Sequence, residues 1–345
     1  MRWQSQSVDA ETEARLPGFS EDVVVRRFDA PEALDTRFHE VRTKSAINRV
    51  PNASRLPFAW TVNPYRGCSH ACKYCFARPT HEYLDFDAGR DFEREIVVKV
   101  NVPEVLRAEL ARPSWGREHI ALGTNTDPYQ WVEGRYKLMR GVWEAMRDFA
   151  NPCSILTKSP LVLRDADLLC EIAERTQVSA CLSVPTLDEE AWRATEPHTP
   201  HPRARLEAVA ELNRLGIPTG ILIAPLMPGI NDAPEQVERI VALATEAGAV
   251  HIGGQTLFLR GSVKEVFFEW LREHRPDLLE RYGKLYARGA YLPADERRTI
   301  EVAAGAPWAR HAYADRFRHR RGGGRRPPPR AREEVVRLAQ QQPLF

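Results

Sequence analysis

From Phe58 onward, hydrophobic and polar positions alternate between two rhythms. Short runs rich in β-branched residues repeat, and between them lie longer stretches with helical spacing. The runs are AWTVN (59–63), HIALGTN (119–125), CSILTKS (153–159), SACLSVP (179–185), TGILIAP (219–225) and VHIGGQTL (250–257). Continuous apolar runs of this length mark strands buried on both faces, as in a parallel sheet. The stretches KLMRGVWEAMRDF, DADLLCEIAERT, RARLEAVAELNRLG and APEQVERIVALATEAG carry the helical period. Several have Gly or Pro just past their end, where a helix stops. A further unit, IVVKVN followed by PEVLRAEL, precedes the second run.

Six strand–helix repeats in one unit predict an α/β fold: a partial (β/α)6-type TIM barrel, with its chemistry at the C-terminal ends of the strands. The core is expected over residues 56–290. Residues 1–55 show few periodic segments and read as an N-terminal extension packed on the core. After about residue 290 the rhythm stops, leaving a C-terminal extension (291–317) and a tail (318–345). The tail segment RHRRGGGRRPPPR holds almost nothing apolar and is expected to be disordered.

Composition sharpens this picture in three places. The 345 residues are 43% hydrophobic and 28% charged, which suits a globular chain with a large core. No run of about 18 apolar residues occurs, and the N-terminus has no apolar signal region, so a cytoplasmic protein without a membrane span is expected. The net charge of +2 is uneven: residues 316–345 hold nine Arg and two Glu, and the rest of the chain is net acidic. Six cysteines, three of them in a tight cluster, do not resemble a disulfide framework and read as metal ligands.

The cluster lies in NPYRGCSHACKYCFARP (63–79), where Cys68, Cys72 and Cys75 are spaced C-x3-C-x2-C. A structural zinc site wants four ligands, usually from C-x2-C pairs. Three thiolates on a [4Fe–4S] cubane leave one iron open for a substrate or cofactor. The motif begins just past the first strand, at the predicted mouth of the barrel. Tyr74 would lie beside the cluster and shield it. The alternatives are a zinc knuckle completed by His70 or His81, or three unrelated thiols. A second polar constellation, TNTDPYQ (124–130), follows strand IALG directly. Asn125, Thr126, Asp127 and Gln130 are too polar for a barrel interior unless they line a site; otherwise they form an ordinary turn. Cys153 and Cys170 read as buried thiols of the framework. Cys181 shares a face with Ser183, two residues on, and is a candidate hydrogen-donating thiol or a small core residue.

The motif CSHACKYC resembles the C-x3-C-x-aromatic-C signature of radical S-adenosylmethionine (radical SAM) enzymes. NPYRGCSHACKYCFA looks like the spore photoproduct lyase-like branch of that superfamily. The resemblance continues through ALGTNTDPYQWVE, ILTKSPLVLRD, LSVPTLDEEAWRATEP and RLEAVAELNRLGIPTGILIAPLMPGIND, covering roughly residues 45–275. It implies one [4Fe–4S] cluster and SAM as cofactors. SAM would be cleaved reductively to a 5′-deoxyadenosyl radical that abstracts a substrate hydrogen. It also implies a reducing partner of the flavodoxin or ferredoxin type. Lys158 and Ser183 fall where the branch contacts SAM. Arg205 could pair with the SAM carboxylate, and Tyr74, Asn125, Thr126 and Asp127 would face SAM or substrate. One departure stands out. Thr124 occupies the segment where spore photoproduct lyases carry a hydrogen-donating cysteine, so the same lyase reaction does not carry over.

The basic tail adds two expected partners. From Arg316 to Arg332 there are eight Arg and no acid, a pattern that binds nucleic-acid phosphates without sequence preference. The terminal QQPLF resembles the peptides with which bacterial repair proteins dock on the sliding clamp, with Gln341, Leu344 and Phe345 as anchors. Together with the resemblance to the spore photoproduct lyase-like branch, the tail implies a nucleic acid, or a lesion in one, as substrate. The rival readings are a radical SAM enzyme that modifies a peptide or protein, and a non-catalytic iron–sulfur binding protein.

Overall fold

The structure is a computed structural model that describes residues 8–13, 16–19, 23–30, 33, 35–51 and 56–303. The Arg-rich segment and the terminal Gln341, Leu344 and Phe345 lie outside the described residues. The strands, in chain order, are β1 (Val8–Glu13), β2 (Val23–Phe28), β3 (Arg37–Val41), β4 (Ile47–Arg49), β5 (Trp60–Val62), β6 (Tyr65–Arg66) and β7 (Glu95–Lys99). They continue with β8 (Ile120–Leu122), β9 (Cys153–Thr157), β10 (Val178–Ser183), β11 (Thr219–Leu226) and β12 (Ile252–Thr256). The helices are α1 (Arg90–Arg94), α2 (Val102–Leu110), α3 (Glu133–Tyr136), α4 (Leu138–Asp148), α5 (Ala166–Ala173), α6 (Glu189–Thr195) and α7 (Pro202–Arg214). After them come α8 (Pro234–Glu246), α9 (Ser262–His274), α10 (Leu279–Leu285) and α11 (Ala294–Ala303).

The six strands expected from the sequence pair in parallel in the order β5-β8-β9-β10-β11-β12. This is an open, partial barrel. β4 extends the β5 edge in antiparallel register, Ile47 opposite Val62. Alternation along the strands sets two faces. Val62, Ile120, Leu122, Ile155, Ala180, Leu182, Ile221 and Ile223 pack outward under the helices in one core. The opposite, concave face carries Thr61, Ala121, Ser154, Cys181, Ser183, Gly220 and Ala224, small or polar side chains, together with Leu156 and Leu222. Helix α4 illustrates the outer layer: Met139, Val142, Trp143 and Met146 recur at helical spacing and are fully buried. Each such side chain stabilises the fold by roughly 1.5–3 kcal/mol.

Two expectations are corrected. The IVVKVN unit does not join the barrel. Its strand, β7, belongs to a separate sheet, β1-β2-β3-β7-β6, whose first three strands come from the segment read as aperiodic. Those strands alternate only briefly, and β3 also pairs with the sequence-distant β7, so local pattern does not reveal the sheet. Beyond β12 the described residues add the helices α9, α10 and α11 and no further strand. Among the described residues no helix is long and apolar enough to cross a membrane.

Candidate active site

The cysteine loop leaves the end of β5 and is shaped by its own backbone before any ligand is considered. Gly67 has φ +77°, and a Cβ there would meet His81, Ile96 and the Phe92 carbonyl, each at 3.0 Å. Cys68 N–H donates to Phe92 O at 2.9 Å. Ala71 N–H turns back to Cys68 O at 3.2 Å, with φ +55°. A non-glycine residue held in the left-handed region marks a loop over-determined by its surroundings.

Arg78 supplies much of that determination, and the sequence did not single it out. It is fully buried, on the short 3-10 helix Arg78–Leu84. Its Nε and Nη2 donate to Cys72 O at 3.1 and 2.9 Å, and its Nη1 donates to Ala88 O and Gly89 O at 2.9 and 2.8 Å. It also pairs with Glu93, and its guanidinium lies over the Phe92 ring. Five donors in a planar fork suit an arginine to this gathering of carbonyls.

The TNTDPYQ segment grips the loop from the other side. Gln130, fully buried, accepts from Ser69 N–H at 2.9 Å and donates to Gly67 O at 3.1 Å. Thr126, also buried, donates to Tyr65 O at 3.0 Å. Asp127 accepts from Thr157 Oγ1 (2.6 Å), Lys158 N–H (2.7 Å) and Tyr129 N–H (2.9 Å), and faces His70 Nδ1 at 3.5 Å. Asn125 and Thr124 are half-buried at the strand end. Thr126 and Gln130 thus hold the cysteine loop, and Asp127 ties it to the end of β9.

A second hub forms around Glu196, which the sequence also left unmarked. Its carboxylate, fully buried, accepts from the Tyr74 hydroxyl and pairs with Arg205 at 2.6 Å and Lys158 Nζ at 3.3 Å. Lys158 Nζ also donates to Ser183 Oγ at 2.7 Å and lies 5.7 Å from the centre of the Tyr74 ring. Arg205 is fully buried, and its guanidinium is engaged within the protein: Pro200 O, Ser183 O, Glu196 and Thr199 accept from it. Burial alone would raise the Glu196 pKa, but Arg205 and Lys158 outweigh it and hold the carboxyl at about 2. Lys158, Ser183, Arg205 and Tyr74 are therefore brought together, with Glu196 at their centre.

Burial pushes the Cys68 thiol up to about 12, assisted by Asp127 and Cys75. Cys72 and Cys75 are raised for the same first reason, and the three thiols act on one another. Cationic metal would reverse this and bind the thiolates. Of the two histidines weighed as a fourth ligand, His81 Nε2 lies 2.9 Å from Glu95 O, and burial pushes its ring down to about 4. Burial also lowers His70, against the pull of Asp127. Among the described residues no three His, Cys, Asp or Glu side chains gather as ligands of a single metal ion. A cubane offers each thiolate a different iron, so its ligands need no common meeting point. Cys181 is half-buried on the concave face with Ser183, Cys153 starts β9 in the core, and Cys170 Sγ donates to Leu215 O at 3.7 Å.

The family pattern described as the radical SAM superfamily matches residues 62–244, spanning both hubs. An uncharacterised protein of Mycobacterium tuberculosis is 47% identical over 304 residues, covering 87% of this chain and 89% of the relative. One from Methanocaldococcus jannaschii is 28% identical over 195 residues, 56% of this chain and 69% of the relative. Among solved structures, spore photoproduct lyase complexed with dinucleoside spore photoproduct superposes with a TM-score of 0.56 at 14% identity, over 81% of this chain and 79% of that one. A double mutant of that lyase with bound AdoMet and dinucleoside spore photoproduct gives 0.56 at 15% identity, over 81% and 78%. The latter similarities establish the fold; the family pattern and the mycobacterial relative establish the membership. With its cysteine loop at the mouth of a partial barrel, this chain belongs to the radical SAM superfamily of enzymes.

Proposed function

We propose that Cys68, Cys72 and Cys75 hold a [4Fe–4S] cluster, and that the protein uses it with SAM to abstract a hydrogen atom from a nucleic-acid lesion. The observation that carries this reading is the Glu196 hub, which aims Lys158 and Ser183 from adjacent strand ends at the cysteine loop. The donor set fits the group: three soft sulfur donors on one loop, with no fourth protein ligand assigned, suit a cubane with an open iron. When bound, the cluster supplies one electron to SAM, whose cleavage gives methionine and a 5′-deoxyadenosyl radical.

The protein's own residues do the binding and positioning. The Lys158 ammonium, held between Ser183 Oγ and Glu196, binds the SAM carboxylate with little reorganisation. Ser183 offers its hydroxyl beside it. Arg205, with its donors already engaged, positions Ser183 through the carbonyl of that residue and neutralises Glu196. Tyr74 closes the loop over the apolar cluster of Met227, Leu257, Val263 and Phe267 and excludes water from that side. Cys181, on the concave face, is the thiol assigned to hydrogen return, with Thr124 standing where the lyases carry their own cysteine.

The nucleic-acid part is supported by the arginine-rich tail and by the dinucleoside spore photoproduct bound to a structural neighbour. Anaerobic reconstitution with iron and sulfide, then SAM and dithionite, tests the whole. 5′-Deoxyadenosine should form with the wild type and not with Cys72→Ala, and ultraviolet-irradiated DNA should raise the yield. A well-loaded cluster that cleaves no SAM under any of these conditions refutes the catalytic reading. Cleavage indifferent to damaged DNA removes the lesion.

A further inference from the structure

Lys99, the last residue of β7, is a buried cation with no counter-charge among the described residues. It is 8% exposed, and its Nζ donates to Asn63 O at 3.0 Å. The neighbouring charge that acts on it is Arg66, of the same sign. Arg66 lies opposite Val97 in the β6–β7 pair, which puts it diagonally beside Lys99 on the same face of the sheet. Arg66 is half-buried, and among the described residues no carboxylate pairs with either side chain. Elsewhere in this protein buried cations have partners: Arg78 has Glu93, Arg205 has Glu196, and Arg164 has Glu133 and Asp165.

The residue whose carbonyl accepts from Lys99, Asn63, adds an unsatisfied polar group of its own. Asn63 Oδ1 is buried and has no hydrogen-bond partner. A half-turn of that amide would put its NH2 at the same position, where it could donate. Two unpaired cations and an unsatisfied amide within Asn63, Arg66 and Lys99 are what an oxyanion needs. Without one they are costly, since a single carbonyl compensates only part of the desolvation of the Lys99 ammonium. Burial and Arg66 push the Lys99 ammonium down to about 8, and an anion between the two would reverse this.

We propose that Lys99, Arg66 and Asn63 form a phosphate site that grips a phosphodiester of the nucleic-acid strand presented to the cysteine loop. Asn63 and Arg66 lie on the segment that joins the end of β5 to the first cluster cysteine, and Lys99 lies beside it on β7, so a phosphate held there places its strand near the cysteine loop. The proposal rests on the nucleic-acid reading above. Phosphate contacts of this kind set the register of the strand and carry no sequence information.

The test is thermal denaturation of the full-length protein with inorganic phosphate, and separately with the thymidine dinucleotide TpT. Wild type, Lys99→Met and Arg66→Gln are compared. The expected result is a Tm that rises with both ligands in the wild type. Lys99→Met should be more stable than wild type without ligand, because the unpaired ammonium is gone, and should lose the ligand-dependent rise. Arg66→Gln, at a half-buried position that tolerates glutamine, should reduce that rise. A wild type indifferent to both ligands, or a rise undiminished in both variants, overturns the site. A rise with inorganic phosphate and none with TpT overturns the strand as its source. None of these outcomes depends on SAM cleavage, so failure here leaves the lesion assay to judge the nucleic-acid reading separately.

Discussion

The Tyr74 hydroxyl donates to the Glu196 carboxylate across 122 positions of sequence, and this bond fastens the cysteine loop to the segment after α6. A backbone bond from Lys73 N–H to Thr195 O, at 3.0 Å, runs beside it. The loop that carries the three cysteines is therefore docked on the same carboxylate that orients Lys158 and Arg205. On the proposed reading, the residues of the cluster and of SAM share one positioning residue, and its removal should disturb both.

Truncating Glu196 to Ala leaves the fully buried Arg205 without its carboxylate. Loss of one partner from a buried pair costs about 3–5 kcal/mol. Tyr74→Phe removes only the hydroxyl, a hydrogen bond to a charged group, and should cost about 1.5–3 kcal/mol. Urea denaturation of the metal-free protein measures both. A Tyr74→Phe protein as stable as wild type would show that the bond does not hold the loop.

Two of the fully buried carboxylates, Glu196 and Glu133, should pull stability in opposite directions with pH. Glu196 is held at about 2, below its ordinary 4.5. Its contribution is complete above pH 4.5 and is lost as pH falls toward 2, up to about 3 kcal/mol. Glu133 is raised to about 6, chiefly by burial, against the pull of Arg164. Its contribution is present below pH 4.5 and is lost as pH rises through 6, about 2 kcal/mol. Glu196→Gln should flatten the acid limb and Glu133→Gln the limb between pH 4.5 and 6, in stability measured against pH. Unchanged limbs in the two variants would contradict these assignments.

The difference between what the sequence showed and what it hid follows from range. β9, β10 and β11 announce themselves because Ile155, Leu182 and Ile221 sit in short buried runs, and runs of that kind can be read within a window. The cysteines declare themselves by spacing. Glu196 and Arg78 do not, because their pairing with Arg205 and Glu93 is made by tertiary packing with no local signature, and each looks locally like a surface charge. The small residues of the concave face, Ser154, Cys181, Gly220 and Ala224, were visible but ambiguous, since nothing local distinguishes a lumen from a close helix contact. Arg205 was visible as a cation near the site. Its engagement by Glu196, Thr199 and two carbonyls could be seen only in three dimensions.

Gly123 connects β8 to the polar segment that grips the cysteine loop. Its φ is +72°, and a Cβ would lie 1.9 Å from Leu156 O in the neighbouring strand. Backbone cannot yield there as a flexible side chain would. Gly123→Ala should therefore cost more than the roughly 1–2 kcal/mol of a left-handed alanine alone, because β8 and β9 must also separate. A drop in Tm of several degrees is expected. Wild-type stability in this variant would mean that the close approach of β8 to β9 is absent.

Gln130 offers the sharpest separation of loop geometry from ligand chemistry. It touches no cysteine side chain in the contacts described above, yet it satisfies Gly67 O and Ser69 N–H on either side of Cys68. Gln130→Met keeps the volume and removes both bonds, leaving a buried donor and acceptor unpaired at about 1–3 kcal/mol each. The three cysteines remain, so iron should still bind, but the loop should hold it less firmly. Iron and sulfide content after anaerobic reconstitution, followed by the rate of bleaching in air, measure this. The variant should load less iron and lose it faster than wild type at a temperature where both are folded. Equal loading and equal bleaching would show that the cysteine loop needs no support from the segment after β8.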